Sequence, residues 1–220
     1  MDIQMISDLE YTVKGIRVPN WNNQKYCVFD LEATGIEQDT AHITQIGAVI
    51  IENGGVISKN TFNTFVKPPK PIPEPVEQFT GIYNAQLKHA PSFKDAYPDF
   101  RVFAQDCILV THAGYEYDLP LLRHECVRTG ADMITNLCLD TKALFTYLYP
   151  DVRDIISTDV LIRYYSIDDQ DLRRHDALAD SLLIARIFTR MMQDYGERRI
   201  KDLVFDDPVT VKRFQIKPLC

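Results

Sequence analysis

Asp30 and Glu32 stand two residues apart in Phe29-Asp-Leu-Glu-Ala-Thr-Gly35, at the end of an apolar run. On an extended strand residues i and i+2 share a face, so both carboxylates can reach one cation while Leu31 points into the core. Asp118 stands where a strand and loop give way to an amphipathic segment, a place where aspartate also suits a helix N-cap. His175 and Asp180 occupy Arg174-His-Asp-Ala-Leu-Ala-Asp-Ser181 at the start of a long apolar helix, with Asp176 suited to its amino terminus. Each signal has an ordinary structural explanation when taken singly. Together they form a chemical set. Two divalent cations roughly 3.5–4 Å apart need several hard oxygen ligands on rigid elements, and Asp30, Glu32, Asp118 and Asp180 supply four carboxylates. One cation can lower the pKa of a bound water while the other stabilises the leaving oxygen of a phosphodiester. A histidine, ordinarily with a pKa near ~6.5, is suited to take the water's proton at neutral pH.

The charge balance fits that chemistry. The 220 residues carry a formal net charge of −7, which argues against gripping nucleic acid by bulk electrostatics. From Arg186 onward eight basic residues outnumber five acidic ones, so the acidic surplus lies earlier in the chain, among the candidate ligands. Bound cations would neutralise it and let a polyanion approach. Composition is that of a globular protein, with 45% hydrophobic and 25% charged residues, which excludes a disordered or fibrous chain. Apolar runs such as Ile46 to Ile51 are far too short to span a bilayer, and the amino terminus lacks a secretory pattern. The five cysteines include no C-x-x-C pair; they read as reduced thiols of a cytoplasmic protein rather than a zinc site.

The elements that must position these residues follow from periodicity and turn signals. Tyr26 to Leu31 reads as a buried strand stopped at Thr34-Gly35. Ile43 to Glu52 is a second strand, Asn53-Gly54-Gly55 a hairpin turn, and Val56 to Val66 the returning strand. Five prolines between Pro68 and Pro75 make an extended connector. Short helices are predicted at Pro75 to Phe79 and Asn84 to His89, and a longer one at Ser92 to Ala104. Cys107 to Thr111 is a short strand, Leu119 to Thr129 a helix starting near Asp118, and Asn136 to Leu139 a fifth strand. Helices follow at Thr141 to Tyr149, Thr158 to Tyr165 and Asp176 to Asp194. The order predicts an α/β domain over residues 25–195 with a mixed five-stranded sheet, three antiparallel strands first, flanked by helices. Residues 1–24 are an N-terminal extension and 196–220 a basic C-terminal tail.

With these motifs in place, the sequence resembles the DnaQ-like 3′–5′ exonucleases of the DEDDh type, in the ribonuclease H-like superfamily. Phe29 to Gly35 is similar to the family's first motif, with Ala33 where threonine is usual. Ile43-Thr-Gln-Ile-Gly-Ala-Val49 resembles its second strand and Phe79-Thr-Gly-Ile82 its leucine-threonine-glycine-isoleucine loop. Asp118 with Leu119-Pro-Leu-Leu122 resembles the second motif, Asp140-Thr141 the segment between motifs, and His175 to Asp180 the histidine-x4-aspartate third motif. The second motif departs from the pattern. His112 lies six positions before Asp118 rather than five, the usual asparagine is absent, and Tyr117 takes the place of a phenylalanine. The added residue either bulges the loop or brings Glu116 towards the site; His112 itself reads as structural.

The resemblance implies a ribonuclease H-like exonuclease fold and Mg²⁺- or Mn²⁺-dependent hydrolysis from a free 3′ end of DNA or RNA, releasing nucleoside 5′-monophosphates. Asp30 would bridge two cations, Glu32 and Asp180 would complete the tighter site, and Asp118 would serve the second. His175 would be the general base, with Thr34 and Gly35 meeting the terminal nucleotide. A catalytically silent binding or regulatory module is the alternative, which the intact five-residue set disfavours. Single-stranded 3′ ends are the expected partners, no membrane is implicated, and the basic tail is a candidate docking segment for a polymerase or another protein.

Overall fold

The computed structural model describes residues 1–215. The end of the expected tail, 216–220 with Cys220, lies outside the described residues. In chain order the strands are β1 (Asp2–Met5), β2 (Glu10–Lys14), β3 (Ile16–Val18), β4 (Tyr26–Ala33), β5 (Ile43–Glu52), β6 (Gly55–Phe65), β7 (Ile108–Thr111), β8 (Cys138–Asp140), β9 (Leu203–Phe205) and β10 (Val209–Lys212). The helices are α1 (Glu74–Thr80), α2 (Asn84–Leu87), α3 (Phe93–Ala104), α4 (Asp118–Thr129), α5 (Thr141–Leu148), α6 (Thr158–Tyr165) and α7 (Ala177–Glu197).

The main sheet runs β6-β5-β4-β7-β8, antiparallel across β4–β6 and parallel from β4 to β7 and from β7 to β8. This is the mixed five-stranded sheet the sequence predicts. The centre of the sheet is covered on both faces, so β4 and β5 read as almost unbroken apolar runs. On one face the Phe29 ring meets Phe100 of α3, with centroids 5.7 Å apart. On the other, α7 lies along β4 and β5, and Tyr26 meets its Phe188 edge-on. The β5–β6 hairpin turns through Asn53 and Gly54, at φ 54° and 71°, the left-handed pair such a tight turn demands.

Gly47 on β5 sets how closely α7 can approach. A Cβ there would lie 2.1 Å from the backbone carbon of Ala177, so only glycine admits the helix. Ser181 of α7 then donates its hydroxyl to the Gly47 carbonyl at 2.9 Å. Asp30 is the cross-strand partner of Gly47, so this contact sets the start of α7 directly beside Asp30.

The two chain ends behave differently from their sequence reading as separate extension and tail. Strands from the two ends pair with each other: β10 adds to β2 on the edge opposite β1, and β9 pairs with β3. Basic residues of the tail are engaged within the chain, Arg198 with Asp194, Arg213 with the Ser7 carbonyl and Lys212 with that of Arg153. Cys27, Cys107, Cys126 and Cys138 are buried free thiols. No helix among the described residues is long and apolar enough to cross a membrane.

Candidate active site

Asp30 and Glu32 lie at the carboxyl end of β4, next to a register irregularity between Glu32 and Ala33. A bulge at a strand end bends the chain and re-aims side chains, a common device beside functional sites. Beyond it Thr34, Gly35 and the segment to His42 wall a cavity of about 680 Å³, with Glu32, Lys70, Phe79 and Tyr117 also on its lining. Thr34 and Gly35 therefore share the cavity wall with Glu32.

Asp118 comes from β7 through the loop 112–117. The N-cap explanation does not hold: the cap position is Tyr117, which makes no side-chain cap bond, and Asp118 is the first residue of α4. Its carboxylate instead accepts the Thr111 hydroxyl at 3.0 Å and is buried. The Tyr117 hydroxyl donates to the Gly35 carbonyl, joining the loop before Asp118 to the loop after Glu32.

His175 and Asp180 flank the start of α7. Asp176 caps the helix by accepting the Ala179 amide at 3.0 Å, which leaves Asp180 free to point elsewhere. Gln45 of β5 accepts the Ala177 amide and donates to Asp176, tying this helix start to the sheet. His175 has φ 62°, a left-handed backbone that is strained for a residue with a Cβ. That conformation aims its amide at Asp180 Oδ2, which accepts it at 2.7 Å. The imidazole lies against the Phe79 ring of α1, with centroids 3.9 Å apart. One donor atom from each of Glu32, His175 and Asp180 lies within 4.8 Å of the others.

Four carboxylates crowd together here, Glu32 and Asp118 buried and Asp30 and Asp180 half-buried. Burial, then the charges of Asp118, Glu32 and Asp180, hold the Asp30 carboxyl well above the usual carboxylate range. Burial and the neighbouring acids push Glu32 up to about 8, and burial raises Asp118 to about 7. Asp180 is raised by burial against the opposing pull of Arg174, whose Nε donates to it at 3.0 Å. Burial lowers the His175 imidazole below its ordinary value. Hard oxygen donors that cannot all hold their charge beside one another fit divalent, oxygen-seeking cations, which would take the place of their protons, so the residues present suit the cofactor class the sequence implies.

Two further residues of the second motif do not join the site. Glu116 turns away and pairs with the buried Lys142. His112 shares a hydrogen bond with the Thr141 hydroxyl at 2.8 Å. The added residue therefore reshapes the loop without adding a carboxylate to the cluster. Tyr115 packs beneath the loop with its hydroxyl on the Cys138 carbonyl at 2.7 Å. Arg174, Thr111 and the Tyr117–Gly35 bond carry no sequence signal of their own, since each depends on partners that only the fold brings near.

A family model described as Exonuclease (RNase_T) matches residues 27–188. The DNA polymerase III PolC-type of Caldanaerobacter subterraneus is 31% identical over 189 residues, covering 86% of this chain and 13% of that protein. The chain thus spans about an eighth of the length of the PolC-type relatives it matches. The DNA polymerase III subunit epsilon of Aquifex aeolicus is 30% identical over 169 residues, covering 77% of this chain and 81% of that subunit. Among solved structures, the nuclease domain of 3′hExo, a DEDDh family member bound to rAMP, aligns with a TM-score of 0.70 at 21% identity, covering 78% of this chain and 93% of that one. Cell-death related nuclease 4 aligns with a TM-score of 0.68 at 19% identity, covering 78% and 64%. At those identities the likeness bears on the fold alone, and the fold is the ribonuclease H-like α/β one expected.

Proposed function

We propose that this chain, which belongs to the DnaQ-like DEDDh exonuclease family, is a metal-dependent 3′–5′ exonuclease that releases nucleoside 5′-monophosphates. The observation that carries the reading is the convergence of the Asp30, Glu32, Asp118 and Asp180 carboxylates in one cluster, with His175 beside Glu32 and Asp180 and with Glu32 facing the cavity. Asp30, Glu32, Asp118 and Asp180 would hold two divalent cations, Mg²⁺ or Mn²⁺. Bound there, these would supply Lewis-acid stabilisation of the developing phosphodiester charge and a lowered pKa for the attacking water.

The chain's own residues do the rest. His175 takes the water's proton; burial keeps its imidazole neutral near pH 7, the state a base must start from. The Phe79 ring tilted against it and the backbone N–H that His175 donates to Asp180 fix where that imidazole stands. The water oxygen forms the new bond to phosphorus, and the bond to the 3′ oxygen of the preceding nucleotide breaks. Thr34 and Gly35, on the cavity wall beside Glu32, meet the terminal nucleotide. The cavity lining is largely apolar, including Ile36, Val76 and Phe79, which suits a base and sugar whose phosphate faces the acids.

DNA 3′ ends are the proposed substrate and a polymerase the proposed partner, supported by the relatives' descriptions as DNA polymerase III chains. Action in the cytoplasm belongs to the same reading, supported by the four buried free thiols. The test uses 5′-labelled single strands of DNA and RNA of one sequence, incubated with Mg²⁺, Mn²⁺ or EDTA. A ladder shortening from the 3′ end, faster on DNA and abolished by EDTA, is expected. His175→Ala should slow it by ~10²–10⁴. Shortening that survives EDTA, or near-wild-type turnover without His175, would overturn the mechanism.

A further inference from the structure

Arg174 is held on three sides. Its Nε donates to Asp180 Oδ1 at 3.0 Å, Nη1 to Asp159 Oδ1 at 3.1 Å and Nη2 to the Thr158 hydroxyl at 2.8 Å. Thr158 and Asp159 open α6, whose start is itself fixed by Ser157, which accepts the Val160 amide at 3.2 Å. A chain of contacts therefore runs from a capped helix through one guanidinium to one carboxylate. That carboxylate also accepts the His175 amide on its other oxygen, at 2.7 Å. A carboxylate offers about four acceptor positions. Two are taken by donors of this chain, one on each oxygen, and the others are left for whatever enters the acidic cluster.

We infer that Arg174 is a positioning residue that fixes the orientation of Asp180 for a divalent cation, with Thr158 and Asp159 as its anchor. This rests on the reading of Asp180 as a metal ligand. A simple counter-ion, standing in for a cation and leaving when one arrives, would need no such anchor. Here two of the guanidinium's three hydrogen bonds go to α6, and only Nε faces the cluster. The planar fork of arginine serves three acceptors in fixed directions, which the single ammonium of lysine cannot reproduce. Partners that orient ligands in this manner are worth about 10–100-fold in metal affinity.

The experiment is calorimetric titration of the full chain with Mn²⁺, independent of turnover. Arg174→Met should bind Mn²⁺ about 10–100-fold more weakly than wild type. Arg174→Lys should recover only part of the loss. Asp159→Asn, which leaves Arg174 and Asp180 in place and loosens only the anchor, should shift affinity in the same direction by less. Unchanged melting temperatures in the presence of EDTA would show the variants folded, and the Asp159 variant serves if Arg174→Met does not fold. Equal or tighter Mn²⁺ binding by the variants, with ordinary uptake by the wild type, overturns this inference alone. No Mn²⁺ uptake by the wild type overturns the metal reading, and this inference with it.

Discussion

Two buried acidic regions lie on either side of the loop between β7 and α4, and they solve the same problem in opposite ways. Glu116, Asp140 and Lys142 form one. Glu116 pairs with Lys142 and accepts the Phe214 amide at 2.8 Å on its other oxygen. Asp140 accepts the amides of Ala113, Tyr115 and Lys142, and the Lys142 ammonium sits 4.0 Å from the centre of the Phe214 ring. Asp30, Glu32, Asp118 and Asp180 form the other, where acids face acids and Arg174 offsets only part of the excess. Buried charge that finds its partner within the chain is architecture. Buried charge left in excess destabilises the fold and is retained where something from outside completes it.

The largest expected effect breaks the second region. Asp30→Asn should reduce turnover to background, because Asp30 is the acid on which all the others bear. The same change should raise the melting temperature of the metal-free protein at pH 8, since it removes an acid that ionises freely in the unfolded chain but only at a cost beside its neighbours in the fold. Loss of activity with gain of stability is what a site built at the expense of the fold predicts. Thermal melts in EDTA beside the strand-shortening assay would show it, and a variant that is both active and no more stable would erase the contrast.

The first region should respond in the opposite sense. Lys142→Met leaves Glu116 buried without its cation and should cost about 3–5 kcal/mol in urea denaturation. Adding Glu116→Leu should recover most of that, because an apolar pair of similar volume carries no stranded charge. A Lys142→Met protein within 1 kcal/mol of wild type, roughly the worth of a surface pair, would mean the pair is not a structural unit.

How much of this was legible depends on how local each signal is. The shared face of Asp30 and Glu32, the Asn53-Gly54 turn and the long apolar α7 are written in neighbouring residues, and the structure has them where periodicity puts them. The terminal sheets were not legible. Their strands are three to five residues long, and pairs such as Ile16 with Phe205 join opposite ends of the chain. The direction of Glu116 was open for the same reason, its partners lying 26 and 98 residues away. Asp118 looked like an N-cap because the helix start was visible, whereas the Thr111 hydroxyl that claims its carboxylate lies seven residues back across the loop.

Divalent cations sharpen the comparison through pH. Glu32 and Asp118, at about 8 and about 7 in the metal-free fold, hold protons that the unfolded chain has already lost above pH ~4. Their raised values therefore lower stability as pH rises from about 4 towards 8. A cation binds the deprotonated acids, so the gain in melting temperature from Mg²⁺ or Mn²⁺ should grow between pH 6 and pH 8. At about 100 times the dissociation constant the underlying stabilisation amounts to ~2.7 kcal/mol. EDTA should remove the gain and Asp30→Asn should blunt it; a gain that is flat with pH would place the cations elsewhere.

The smallest effect belongs to the paired region and has the opposite slope. His112 lies beside Thr141 and Lys142, and burial, followed by the Lys142 charge, lowers its imidazole to about 3. In the unfolded chain the same group titrates near ~6.5. Between those values the unfolded state takes up a proton that the folded state refuses, so stability is lost as pH falls below about 6.5. For this one group the loss is on the order of 1–2 kcal/mol between pH 7 and pH 5. At pH 7 His112→Gln should be slightly less stable, by about 1 kcal/mol for the altered Thr141 contact. Towards pH 5 that difference should close and then reverse, because glutamine has no proton to gain. Denaturation midpoints of the two proteins at pH 7, 6 and 5 would show the crossing. Parallel midpoints would mean that the imidazole is protonated in the fold, and that this region, like the acidic one, carries charge it has not balanced.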